Sequence, residues 1–169
     1  MDEMAALIEP HIPSLRRYAY ALLRGDEAAD DLVQDCLERA VRSWRLRPRD
    51  GQVRPWLFTI LRNRFIDGIR ARRLRGTPVD AAVLEQLPAG GGDGETRLAA
   101  LDILAGIEQL PEEQRSALLL VAVEEMSYAD TARVLDVPVG TVMSRLARAR
   151  ERLKQVLERG GGPALRRVK

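Results

Sequence analysis

Cysteine and histidine are almost missing from this 169-residue chain, which has one of each, Cys36 and His11. One thiol cannot form an internal disulfide framework or a cysteine-rich zinc site, and one imidazole cannot supply a histidine cluster. No metal and no cofactor is therefore expected. Aromatic residues make up only 4% of the chain, and Ala, Leu, Arg and Glu outnumber Val, Ile and Thr. That balance favours helices and is poor material for a β-sandwich or barrel. No apolar run approaches the ~18–20 residues that span a bilayer. The stretch Met1 to Pro13 carries Asp2, Glu3 and Glu9 in place of a basic signal-peptide start. The expectation is a cytoplasmic protein without membrane insertion. What is present in quantity is aliphatic: hydrophobic residues at 46% are enough for a core and argue against a disordered chain. The length fits one ordinary domain or two small ones.

The net charge of +2 hides a strong pattern. Arg54 to Arg75 holds seven arginines against one acid, Asp67, whereas Gly76 to Glu95 holds four acids and no base. Arg97 to Asp136 is acidic again, eight to three, and Val137 to Lys169 is basic, nine to two. Two basic blocks set apart by acidic stretches suggest two contact surfaces for a polyanion. For a single block, a solvated helix face is an equally good account.

Glycine marks the organisation. The segment Ala89-Gly90-Gly91-Gly92-Asp93-Gly94-Glu95 has no large apolar residue to pack and follows the breaker Gly76-Thr77-Pro78, with Val79 to Leu87 between them as a short helix or an extended tether. The chain then divides into a domain over 1–75, a flexible linker over 76–96, a domain over 97–159 and a flexible tail over 160–169 opened by Gly160-Gly161-Gly162-Pro163. Both lobes read as helical. Pro13-Ser14 opens a helix that stops at Arg24-Gly25, and Asp26 caps the next, with Ala29, Leu32, Val33, Cys36, Leu37, Ala40, Val41 and Trp44 facing inward. Pro55 sits in a first helical turn, ahead of a core stripe at Leu57, Leu61, Phe65 and Ile69. In the second lobe, Leu98 to Leu110 is helical and Pro111-Glu112-Glu113-Gln114 starts another helix. The fold class is all-α, in two small helical domains.

Residues Ser127 to Leu146 carry the most specific pattern. Ser127 caps a short helix whose Ala132 and Leu135 pack inward, Asp136-Val137-Pro138 turns the chain, and Gly140 or Thr141 opens a second helix. The inward stripe of that helix is Val142, Leu146, Ala149, Leu153 and Val156. This is a helix-turn-helix. Thr141, Ser144, Arg145, Arg148 and Arg152 lie opposite, offering hydroxyls and guanidinium forks of the kind that hold phosphates and read base edges.

Taken together, Leu110-Pro111-Glu112-Glu113-Gln114-Arg115, Met126-Ser127-Tyr128, Val139-Gly140-Thr141-Val142 and Ser144-Arg145-Leu146-Ala147-Arg148-Ala149-Arg150 resemble region 4 of bacterial sigma factors of the extracytoplasmic-function group. The resemblance implies a winged-helix-like module that reads the −35 promoter element and touches the β flap of RNA polymerase. Met143 stands in that reading helix where many relatives carry Arg or Lys.

The first lobe is similar to region 2 of the same family. Asp26 to Trp44 contains Ala-Asp-Asp-Leu-Val-Gln-Asp, and its Glu27, Asp31, Asp35 and Glu38 share one helical stripe. The resemblance implies that Asp31, Gln34, Asp35 and Glu38 dock on the β′ clamp of core RNA polymerase. Arg54 to Asp67 resembles the segment that melts and reads the −10 element. There Trp56, Ile60, Asn63, Asp67 and Arg70 fall on a stripe apart from the core, combining an aromatic face, an amide and cations suited to an unstacked single strand. By family position Asn63 and Asp67 belong near a flipped base, and Arg62, Arg64, Arg72 and Arg73 on phosphates. For Trp56 alone, a core position is as natural a reading. Cys36 reads as a small core residue. The resemblance runs from about Leu7 to Leu157 and implies promoter DNA, core polymerase and an anti-sigma factor as partners. The polymerase, not this chain, would make the RNA, so the chain is not an enzyme.

Two other classes fit less of the sequence. Asp30-Asp31-Leu32-Val33-Gln34-Asp35 faintly resembles the aspartate motif of isoprenoid synthases, but its third aspartate is displaced, no second cluster exists and the chain is short for such a cavity. A helix-turn-helix regulator acting alone on duplex DNA needs neither the Trp56–Asp67 block nor the acidic helix.

Overall fold

A computed structural model describes residues 2–76 and 94–159, apart from the side chains of 96–98. The tail over 160–169, residues 77–93 of the expected linker and the segment Val79 to Leu87 lie outside the described residues. Among the described residues every regular element is helical and there is no strand. Among the described residues two compact units are formed, one from 2–76 with Ala129–Val137, the other from 94–128 with 138–159.

The first unit begins with α1 (Asp2–Ile8), a 3-10 turn over Glu9–His11, and α2 (Ile12–Leu23). Arg24 ends α2 in the left-handed region, φ 55°, where its N–H reaches the Tyr20 carbonyl at 2.7 Å. That conformation normally falls to glycine or asparagine. α3 (Asp26–Arg42) follows at once. Its N-cap is Gly25, in extended backbone, so Asp26 sits in the first turn and acts on the helix dipole instead of capping as expected. After a 3-10 turn over Trp44–Leu46 comes α4 (Val53–Leu74), with Pro55 in its first turn, where a missing N–H is harmless.

α2, α3 and α4 bury one stripe each. Leu15, Tyr18, Ala19 and Leu22 meet Ala29, Leu32, Val33, Cys36 and Ala40, and both meet Leu57, Phe58, Leu61 and Phe65. Each large aliphatic or phenyl side chain buried here contributes about 1.5–3 kcal/mol. The Tyr18 and Phe58 rings pack edge to face, 5.5 Å between centroids. Cys36 is fully buried and its Sγ donates to the Leu57 carbonyl at 3.4 Å, bridging α3 and α4. Val41, expected to face inward, is 49% exposed, while its neighbour Ala40 is fully buried.

The second unit contains α5 (Gly94–Glu108), which starts four residues before the helix expected at Leu98, and α6 (Glu112–Leu118). α6 continues as a π turn over Leu119–Val123. Glu125 closes this turn at φ 53°, and the Met126 N–H reaches back to the Leu120 carbonyl at 2.9 Å. α7 (Tyr128–Leu135), which apart from Tyr128 groups with the first unit, ends with Asp136, also left-handed at φ 53°, while the Val137 N–H bonds the Ala132 carbonyl at 3.1 Å. α8 (Val139–Arg159) starts one to two residues earlier than expected, since the Pro138 carbonyl already accepts from Thr141 and Val142. Val142, Leu146 and Ala149 of α8 are buried, and α8 packs on α5 and α6. Gly106 lets α5 approach α8 closely: a Cβ there would stand 2.6 Å from Leu153 Cδ1.

Candidate nucleic-acid interface

The acidic face of the first unit is built by helical spacing. With Leu32, Val33 and Cys36 turned inward, Asp31, Gln34, Asp35 and Glu38 are all exposed along α3. Asp30, one position before Asp31, is tied to α2 by Arg16 at 2.8 Å. Asp35 is joined to α4 by Arg64 Nη2 at 3.4 Å, with both side chains about half exposed.

On α4 the expected single-strand stripe changes character along its length. Trp56 and Ile60 are half-buried, whereas Asn63, Asp67 and Arg70 are exposed. The Trp56 ring packs edge to face on Trp44, 6.1 Å between centroids, and Arg47 lies over Trp44 at 4.2 Å. Trp56 is thus already one member of an aromatic pair. Arg64, Arg72 and Arg73 are exposed. Arg72, Arg73 and the C-cap Arg75 crowd the end of α4, where the helix dipole favours cations.

Arg62 corrects the sequence reading. It is only 8% exposed, so it does not offer its charge to a phosphate. The helical geometry explains this: Arg62 follows Phe58 by four residues and precedes Phe65 by three, which places it in the buried sector of α4. That signal was available in the sequence.

α8 sorts the second set of residues. Met143, Ser144, Arg148 and Arg152 are exposed and Thr141 is half-buried. Ser144 Oγ donates to the Thr141 carbonyl at 3.1 Å, leaving its lone pairs to accept from an outside donor. Arg145 is drawn to one side: its side chain is 18% exposed and Nη2 lies 3.7 Å from Glu113 Oε2 of α6. Most of the Arg145 side chain is thus covered, with its guanidinium beside α6. Arg148 and Arg152 line an open cleft of about 510 Å³ with Gln114, Ala147, Glu151 and Gln155. Ala147, which the sequence reading did not single out, is exposed one turn after Met143.

Two family models match the chain. The model described as the Sigma2 domain of PhyR covers residues 8–62, and sigma-70, region 4 covers residues 100–153. The ECF RNA polymerase sigma factor EcfG of Rhodopseudomonas palustris is 37% identical over 146 residues, 86% of this chain and 80% of that protein. Among solved structures, the sigma factor RpoE in complex with the anti-sigma factor NepR from Bartonella quintana superposes with a TM-score of 0.80 at 29% identity, covering 94% of this chain and 98% of that one. CnrH in complex with the cytosolic domain of CnrY gives 0.68 at 26% identity, covering 92% and 87%. A chain that matches both regions, with an acidic face on α3 and exposed arginines on α4 and α8, is a sigma factor of the sigma-70 family. The chain belongs to the extracytoplasmic-function group of RNA polymerase sigma factors.

Proposed function

We propose that this chain divides promoter-specific initiation between its two matched regions. Region 2, over 1–75, binds core RNA polymerase and opens the −10 DNA, and region 4, over 97–159, reads the −35 element, with 76–96 as the tether and 160–169 as a tail. The observation that carries this reading is the pairing of an exposed acidic helix with two exposed basic helix faces in a chain that matches both sigma regions. Asp31, Gln34, Asp35 and Glu38 meet the basic β′ clamp. Asn63 and Asp67 meet the flipped base, while Arg64, Arg70, Arg72 and Arg73 follow the backbone. Ser144, Arg148 and Arg152 enter or flank the −35 groove, supported by Thr141, and the β flap docks on the same region. The chain is not the catalyst; the polymerase it recruits makes the RNA, which places both in the cytoplasm.

An anti-sigma partner belongs to the same proposal. The RpoE and CnrH structures, both similar to this chain along most of its length, each contain a partner of the sigma factor. A partner that covers the α3 face would block polymerase binding directly. Run-off transcription with purified core polymerase on a genomic promoter library tests the function. Discrete start sites that appear only with this chain support it, and transcripts identical with and without the chain would refute it.

A further inference from the structure

Along the outer side of α8, exposed residues fall into two parallel bands. Val139, Met143 and Ala147, spaced by four, form an apolar band, with Val139 41% and Met143 54% exposed. Gly140, Ser144 and Arg148, shifted by one residue, form a polar band beside it. Neither band faces the buried stripe of Val142, Leu146 and Ala149. Val139, Met143 and Ala147 thus stand as a contiguous strip, with the flexible, polarisable Met143 side chain at its centre able to pack on an apolar group of a partner. The rest of the helix says what surrounds that apolar group. α8 carries six cations against two acids, a balance that suits the polyanion of the proposed −35 contact.

The apolar group that a polyanionic duplex displays in its major groove is the thymine 5-methyl. We infer that Met143 and Ala147 read thymine methyls in the −35 element, while Ser144 and Arg148 read the neighbouring polar base edges. This rests on the proposed −35 role of α8 and adds to it the base that the helix prefers. Met143 and Ala147 lie one helical turn apart, about 5.4 Å along the axis, so they reach neighbouring base pairs. A cation in place of Met143 would instead favour a guanine or a phosphate.

The test uses holoenzyme reconstituted from the full chain and core polymerase. It first selects binders from a duplex library randomised across the −35 region. Each thymine of the selected duplex is then replaced in turn by deoxyuridine, which removes only the methyl. Wild-type holoenzyme should lose about fourfold in affinity at one or two positions, the effect of one methyl contact. Met143→Ala should lose a similar factor on the thymine duplex and become indifferent to deoxyuridine there. Met143→Leu should restore the sensitivity. Equal sensitivity to deoxyuridine in wild type and Met143→Ala, or none in wild type, overturns the inference while leaving the −35 reading intact. A library in which no −35 sequence is enriched overturns both.

Discussion

Arg64 of α4 reaches across to Asp35 of α3, its Nη2 3.4 Å from the carboxylate Oδ2. The pair joins a helix assigned to polymerase binding to one assigned to promoter DNA. Both side chains are about half exposed, so the pair contributes no more than about 1 kcal/mol to folding. Its consequence is electrostatic: in the free protein each charge partly cancels the other.

Replacing Asp31 and Asp35 together by Lys should weaken core-polymerase binding at least about tenfold, because like charges then face a basic partner. Helix content should not change, since both residues are exposed and mid-helix. A fluorescence titration with core enzyme, alongside far-ultraviolet circular dichroism, reads both. Unchanged affinity would remove α3 as the docking face.

Asn63→Ala should slow open-complex formation and change the preferred base at one −10 position, since an amide reads a base edge and a methyl does not. Arg72→Ala should instead weaken all promoters alike and reduce the salt slope by about one phosphate contact. Permanganate footprinting on a set of −10 variants separates the two. A uniform loss from Asn63→Ala would mean that this amide is structural.

Two arginines of α8, Arg145 and Arg148, should part company. Arg148→Ala should lower affinity for −35 duplex by ~1–3 kcal/mol, concentrated at one base pair. Arg145→Ala should chiefly lower the unfolding temperature, since its guanidinium is spent on Glu113. Its effect on −35 selectivity should be small. Thermal melts and competition binding check the pair, and a selectivity change larger for Arg145 would reverse the assignment.

Stability should fall at alkaline pH through Cys36. Burial pushes this thiol from an ordinary 9.0 up to about 12. Between those values the unfolded chain releases the proton and the folded chain keeps it, so stability present below about pH 9 is lost as pH rises toward 12. Urea unfolding of wild type and Cys36→Ala across that range should show the extra slope only in wild type. His11 acts at the other end. Burial, then the nearby Arg54 charge, lowers its pKa from 6.5, so protonation in the unfolded chain favours unfolding as pH falls below that value.

Helical periodicity made the cores legible. Leu57, Leu61 and Phe65, like Val142, Leu146 and Ala149, repeat at three and four residues, and all six are buried. The exposed acidic stripe of α3 follows from the same count. What escaped depends on other things. Arg62 was read by its charge, although Phe58 and Phe65 set its sector. Arg145 looks like any outward arginine until α6 brings Glu113 alongside it, a contact between residues 32 positions apart. The π turn at Leu119–Val123 lies in a continuous aliphatic run with no glycine or proline to signal the change of pitch. Left-handed caps at Arg24, Glu125 and Asp136 are equally silent, because none uses the glycine that would announce it.

The seclusion of Cys36 turns the protein into a convenient subject for labelling. Its sulfur is the only one of its kind in the chain and is sealed between α3 and α4. A cysteine introduced at an exposed position such as Arg159 would react with a maleimide dye while Cys36 stayed silent. The native background need not be mutated away. A donor placed there and an acceptor on promoter DNA would follow the arrival of the −35 reader in real time, on a chain otherwise unaltered.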